Sequence, residues 1–210
     1  NLIFSSSSSI FGKPKKHEVN NSTQKKPLSV YGKTKLNFEK KLDYFYKKNK
    51  LNSISLRYFN VGGADPDLEI GDMNFKGSRL LSKLFFSIKN KSKFTINGKD
   101  YKTIDGTCIR DFIHVKDIAL AHVRCIKFFK KKRFTKKFNL GTGKAYSVLE
   151  VLKNVEKITK KKINYKFGPK RVGDPEGVFI KKIKNPILKT NNSSLKKIIL
   201  TSWMWFKKLN

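Results

Sequence analysis

The chain is 210 residues long, 38% hydrophobic and 12% aromatic, with 48 Lys and Arg against 15 Asp and Glu, a formal net charge of +33. That apolar content is enough to bury a core and excludes a disordered polyelectrolyte; no apolar run approaches the roughly 18 residues that span a bilayer, and without a signal-like N-terminus the expected location is the cytoplasm. Only six of the 48 cations are Arg, and the lysines run from Lys13 to Lys208 instead of gathering on one element. The charge therefore reads as a solvated, lysine-heavy surface that favours anionic ligands, with neither nucleic acid nor membrane as the partner.

In chain order, Leu2–Phe4 followed by the run Ser5–Ser9 reads as the end of a buried strand delivering hydroxyls to a loop. "KPKKHEVNNSTQKKP" is a polar loop broken by Pro and Asn. From Ser29 to about Lys48, Leu36, Leu42, Phe45 and Tyr46 fall near helical spacing and predict an amphipathic helix. "SISLRYFNV" reads as a short, almost wholly apolar strand stopped by Gly62 and Gly63. Strand, helix and strand in that order predict a parallel βαβ unit. Residues 65–76 form a loop rich in Gly and Asp, residues 80–88 are expected to be helical, and "KFTING" is a short strand. A further helix is expected near Asp117, where "DIALAHVRCIKFF" follows an Asp cap. "KFNLGTG" reads as strand then turn, "SVLEVLKNVEKIT" as a helix capped by Ser147 with Glu150 three residues on, and "KINYKF" as a strand. The closing "SSLKKIILTSWMWFKK" is amphipathic, with Trp203 and Trp205 as docking residues.

Cys108 and Cys125 lie in separate segments, which gives no disulfide framework and no CxxC spacing, and His17, His114 and His122 do not mark a metal site. Tyr31 and Lys35 stand at i and i+4, so phenol and ammonium share one helical face, and the cation favours the phenolate that takes a proton from an alcohol. Tyr44/Lys48 and Tyr46/Lys50 have the same spacing. Context selects among them: Tyr31 follows Pro27 and Ser29, in the first turn of the helix, with a serine-bearing strand end upstream.

"SSSSSIFG" resembles the serine strand end, "PLSVYGKTK" the Tyr-x-x-x-Lys helix and "LRYFNVGGADP" the following strand of the extended short-chain dehydrogenase/reductases. "DGTCIRDFIHVKDIALAH", "FNLGTGKAYSVLEV", "RVGDP" and the closing helix are similar, in the same order, to segments of UDP-glucose 4-epimerases. The resemblance covers nearly the whole chain. It implies an α/β fold: an incomplete doubly wound, Rossmann-type parallel sheet over residues 1–62 and a smaller C-terminal α/β UDP-sugar-binding domain over residues 63–210, with about residues 113–143 returning to the first. It also implies a preceding nucleotide-binding half with a Gly-x-x-Gly-x-x-Gly turn, which occurs nowhere in these 210 residues. The chain is thus expected to be the C-terminal portion of an enzyme that interconverts UDP-glucose and UDP-galactose with NAD, a homodimer when complete.

The same resemblance implies roles for single residues. Tyr31 is the base at the sugar 4-hydroxyl, Lys35 tunes it and bonds the nicotinamide ribose, and Ser7 bonds the 4-oxygen and relays the proton. Ser5 and Phe59 lie at the cofactor, and Asn60 contacts the diphosphate-sugar. Arg110 and Arg171 are the partners for the diphosphate, since a guanidinium binds phosphate oxygens in pairs. Asp174 accepts from the uridine ribose, Leu80 contacts the nucleotide, and Val178 stands beside the sugar C2 substituent, where a small residue admits an N-acetyl group. Arg79 stands where the family commonly has Asn, and "VFIKK" has lysine in place of an acidic residue. Taken by itself, Arg110 beside Asp111 also reads as a plain ion pair, and His114 as a packed histidine. Other nucleotide-sugar dehydratases or decarboxylases are the alternative within the superfamily, although the dehydratases usually carry acidic residues where this chain has Ser8 and Ser9. A basic nucleic-acid-binding or scaffolding remnant is the alternative outside it.

Overall fold

The segment Ser53–Tyr58 alternates its side chains between two faces, Ile54 and Leu56 on one, Ser53, Ser55 and Arg57 on the other, and all five are buried. This strand, β3, is the centre of a parallel sheet with β1, Leu2–Ser7, on one side and β7, Thr135–Leu140, on the other. The computed structural model describes residues 1–74, 79–130, 134–171, 173–181 and 185–210. The end of the expected 65–76 loop, Val172 of "RVGDP" and Lys182 of "VFIKK" lie outside them.

A strand covered on both faces is expected to be apolar throughout. Here one face is polar, because helix α1, Val30–Asn49, brings Glu39 to meet Arg57. The other face is apolar and takes helix α3, Val115–Ile126, whose Ile118, Ala121 and Cys125 pack against Ile54, Leu56 and Leu140. The expected single strand also breaks at Phe59, whose N–H bonds the Leu140 carbonyl; the chain then enters a second sheet as β4, Asn60–Gly62.

That second sheet runs in the order β2 (Glu18–Val19), β10 (Gly177–Ile180), β6 (Ile109–His114), β4, all parallel, with β8 (Ala145–Ser147) antiparallel on β6. The polar loop thus contains a strand, and local pattern does not predict β6, β8 or β10. A third, two-stranded sheet pairs β5 (Phe94–Asn97) with β9 (Tyr165–Gly168). Helices α2 (Leu80–Lys89), α4 (Val148–Thr159) and α5 (Leu195–Lys208) enclose a second core that includes Leu84, Phe112, Leu152 and Ile198. A third core, of Ile10, Phe11, Val19, Phe59, Val178 and Ile180, packs the turn after β1 and the residue between β3 and β4 against β2 and β10 of the second sheet. Ser147 caps α4, and Glu150 completes the reciprocal capping box that the spacing predicts. Among the described residues no helix is long and apolar enough to cross a membrane.

The start of α3 differs from the sequence expectation. His114 caps the helix, its Nδ1 accepting from the Lys116 N–H at 3.1 Å, and Asp117 lies inside the first turn. Asp117 is fully buried and accepts from the Asn192 N–H, the Asn192 amide and the Ser193 hydroxyl, so it anchors the approach to α5 and is not a cap. The last residues of the expected helix form a 3₁₀ turn, Lys127–Lys130.

Because Nδ1 of His114 accepts, its Nε2 carries the proton and donates to Thr201 Oγ1 at 3.0 Å; that oxygen also accepts from the Ala64 N–H. The ring is buried, and desolvation holds it below its ordinary value. A base whose folded value is depressed contributes stability that is present above the unfolded value of about 6.5 and is lost as pH falls below it. Urea unfolding at pH 7.5 and 5.5 is expected to show that loss in the parent chain, and a smaller one in His114→Asn, with the difference bounded by about 1.4 kcal/mol per pH unit.

Candidate active site

The run of serines is consumed residue by residue at the carboxyl end of β1. Ser5 accepts the Lys35 ammonium on its carbonyl at 2.8 Å, and its hydroxyl lies 2.8 Å from the Tyr58 hydroxyl, which in turn lies 2.8 Å from His122 Nε2. The Ser6 hydroxyl donates to buried Glu39. Ser7 ends the strand and caps a 3₁₀ turn, Ser8–Phe11, its Oγ accepting from the N–H and hydroxyl of Ser9. The strand therefore ends earlier than the serine run, and Ser9, the last of the run, orients Ser7.

Helix α1 starts against this turn. Ser29 caps it, accepting from the Gly32 N–H at 3.1 Å, which puts Tyr31 in the first turn, 56% exposed. Lys35 follows one turn later, its Nζ 5.5 Å from the centroid of the Tyr31 ring and 5.0 Å from that of Phe4. Gly32 makes the close approach possible: a Cβ there would lie 2.7 Å from the Ser9 carbonyl oxygen and 2.9 Å from Pro27 Cβ.

A cavity of about 1120 Å³ has a lining that includes Phe59, Asn60, Arg79, Leu80, Arg110, Arg171 and Asp174 and none of Ser5, Ser7, Tyr31 and Lys35. Arg110 pairs with Asp174, Nη2 to Oδ1 at 2.5 Å, and not with Asp111. Asp111 is fully buried and accepts from the N–H groups of Thr142, Gly143 and Ile180 and from the Thr142 hydroxyl. Arg79 pairs with Asp72 at 2.7 Å. With the amide oxygen of Asn97 turned to it, Arg171 donates from Nε at 2.5 Å and Nη2 at 3.0 Å. The Asn60 amide donates to the Asp111 carbonyl at 3.1 Å, which fixes the first residue of β4 on β6.

The sequence-derived residues thus fall into two groups. Ser5, Ser7, Tyr31 and Lys35 meet at the end of the first sheet; Phe59, Asn60, Arg79, Leu80, Arg110, Arg171 and Asp174 line the cavity, and Phe59 also packs against Ile10 and Phe11 behind the serine turn. Val178 joins neither group: it is buried in the third core opposite Arg110 in the β6–β10 register, off the cavity wall. Sequence reasoning missed Glu39, Arg57 and Asn97. Glu39 carries a signal, since it continues the 31, 35 face by one more turn; Asn97 carries none, because its partner Arg171 belongs to a distant segment. Both thiols are buried, Cys125 pushed up to about 11 by desolvation, and neither is suited to act as a nucleophile.

Parallel strands that end in Ser7 and Tyr58, with Tyr31 and Lys35 delivered from the intervening helix, define a Rossmann-type α/β chain of the short-chain dehydrogenase kind. The model of the NAD dependent epimerase/dehydratase family matches residues 1–141, and the chain belongs to that family. The UDP-glucose 4-epimerase of Lactobacillus helveticus is 37% identical over 210 residues, covering 98% of this chain and 64% of that protein. A UDP-glucose-4-epimerase structure from Stenotrophomonas maltophila, with bound NAD and formylated UDP-arabinopyranose, aligns with a TM-score of 0.91 at 29% identity, covering 100% of this chain and 64% of that one. The Bifidobacterium longum enzyme, in complex with NAD+ and UDP, aligns with a TM-score of 0.86 at 31% identity over 98% of this chain and 63% of its own. The chain therefore spans a little under two thirds of the relatives it matches.

Gly32→Ala tests the contact between helix and serine turn. The added methyl meets backbone, which does not swing aside, so a destabilisation of about 1–3 kcal/mol is expected from the midpoint of urea unfolding. An unchanged midpoint would show that the first turn is not pressed against Ser9.

Proposed function

We propose that this chain is the C-terminal portion of a UDP-glucose 4-epimerase, which interconverts UDP-glucose and UDP-galactose by oxidation at sugar C4, turnover of the 4-keto sugar in the pocket and re-reduction from the other face. The observation that carries this reading is the Lys35 ammonium held on the Ser5 carbonyl beneath the Tyr31 ring, at the strand end that bears Ser7, in a chain whose cavity bears Arg110 and Arg171. The likeness to UDP-glucose 4-epimerases over 98% of the chain supports it.

In this reading Tyr31 takes the 4-hydroxyl proton and Lys35 stabilises the phenolate while it does so. Ser7, already oriented by Ser9, bonds the 4-oxygen. Arg110 and Arg171 meet the diphosphate, with Asp174 held ready for the uridine ribose by its pairing to Arg110. The donors present suit one end of NAD: Lys35 has protons beyond the one given to Ser5, and with Tyr31, Ser5 and Phe59 it would hold the nicotinamide ribose. No Gly-x-x-Gly-x-x-Gly turn is present for the pyrophosphate, so that end would be held by a preceding segment. When bound, NAD supplies the oxidant for C4. We further propose a cytoplasmic homodimer, which would cover the exposed Phe38 and Phe45 of α1.

Tyr31→Phe, in a chain completed with a nucleotide-binding half, is expected to lower turnover by about 10²–10⁴-fold with UDP affinity nearly unchanged. Tyr44→Phe is the control with little effect, and equal rates for Tyr31→Phe and the parent would sink the assignment. The 210-residue chain alone is expected to give no calorimetric signal with NAD, because it lacks the phosphate-binding turn; micromolar binding would contradict that. Val178→Tyr is expected to unfold the third core at lower urea instead of simply excluding N-acetyl sugars, since the added ring has no cavity to enter.

A further inference from the structure

Glu39 stands one turn beyond Lys35 and two beyond Tyr31, so the three side chains share one face of α1. Its carboxylate, 1% exposed, accepts from Arg57 Nε at 2.9 Å and Nη2 at 2.7 Å, and from Ser6 Oγ at 2.6 Å. Arg57 is 3% exposed, with its guanidinium carbon 5.7 Å from the centroid of the Phe11 ring. Ser6 and Arg57 are register partners on β1 and β3. Lys35 lands one residue earlier, on the Ser5 carbonyl. Two charged side chains a turn apart on the helix are thus held at consecutive residues of one strand.

For stability alone this is a poor arrangement. Desolvating two charges is costly, and a well-packed apolar pair of similar volume holds a helix to a sheet as well or better. What the ion pair supplies is direction: a two-pronged guanidinium–carboxylate contact has one satisfactory geometry, whereas apolar contacts repack. It fixes the rotation of α1 about its axis and its height over β1, the two variables that decide where Tyr31 and Lys35 stand relative to Ser7. Resting on the epimerase reading of those residues, we propose that Glu39, Arg57 and Ser6 form a positioning unit that sets the Tyr31–Lys35 pair against the serine strand end. None of the three lines the cavity.

The test is the double variant Glu39→Leu/Arg57→Met in the completed chain, which removes both charges and keeps the volume. It is expected to melt within a few degrees of the parent, to lose about tenfold or more in kcat and to leave KM for the UDP-sugar within about threefold, the pattern of misplacement by less than an ångström. Independently of turnover, the NMR ring-current shift of the Lys35 ε-methylene, whose ammonium stands 5.0 Å from the Phe4 and 5.5 Å from the Tyr31 ring centroid, should be lost. A folded double variant that keeps both the parent kcat and that shift overturns the proposal. Should the double variant fail to fold, Ser6→Ala, which removes one donor and no charge, is expected to give a smaller loss in kcat with the same change in the Lys35 shift; no change in either overturns the proposal. If the completed parent does not epimerise, the functional reading fails, and the Lys35 shift alone decides the positioning claim.

Discussion

A carboxylate taken out of water must be met by donors, and three such groups hold this fold. Glu39, Asp111 and Asp117 are each 1% exposed or less. Glu39 joins α1 to β1 and β3, Asp111 joins β6 to the 141–143 turn and to β10, and Asp117 joins α3 to residues 192 and 193. Their partners lie between 18 and 76 positions away along the chain, so each acts only once the tertiary structure is made. Removing the donors from any of them leaves a buried, unmet charge, and that penalty exceeds what the hydrogen bonds themselves contribute. The arrangement of strands is therefore specified by a few polar contacts as much as by the three apolar cores.

This use of the acids also bears on the charge. The chain has 15 acidic residues, and two of those that are not buried stand beside arginines of the cavity, Asp174 with Arg110 and Asp72 with Arg79. With 48 Lys and Arg to 15 acids, most lysines have no carboxylate to meet and are screened by salt instead. At the cavity the distribution is selective. Arg110 and Arg79 are partly neutralised and oriented by carboxylates, whereas Arg171 rests on the neutral amide of Asn97. An anion entering the cavity thus meets a guanidinium oriented by a neutral partner.

Much of the site is legible in the sequence because its chemistry is local. Tyr31, Lys35 and the serine run are set by helical spacing and a strand end, features that survive in any window of the sequence, and Ser147 with Glu150 reads as a cap for the same reason. What the sequence hides are contacts between distant segments. Arg110 has Asp111 as its chain neighbour but takes Asp174, 64 residues on, because alternate residues of β6 point to opposite faces and Asp111 faces the core. Asp117 looks like a cap and is a buried anchor, because His114 supplies the cap. The strand β6 carries Arg, Asp and His in six residues, and β2 and β10 have two and four residues, so neither hydrophobic alternation nor a continuous apolar run marks them. The polar face of β3 is hidden likewise: Ser and Arg there are matched by a helix, a fact outside the strand.

The two groups of site residues gather about different sheets, and between β3 and β4 the chain passes from one sheet to the other through a single residue. Tyr58 ends β3 beside Ser7, Asn60 begins β4 on β6, and Phe59 lies between. Its N–H is tied to the Leu140 carbonyl and its ring is buried among Ile10, Phe11, Val178 and Ile180, residues drawn from the serine turn on one side and from β10 on the other. That ring therefore ties the turn after β1, which holds Ser9 against Ser7, to β10 of the second sheet. Phe59 is thus a buried link between the two sheets, its backbone held by β7 of the first and its ring packed on β10 of the second.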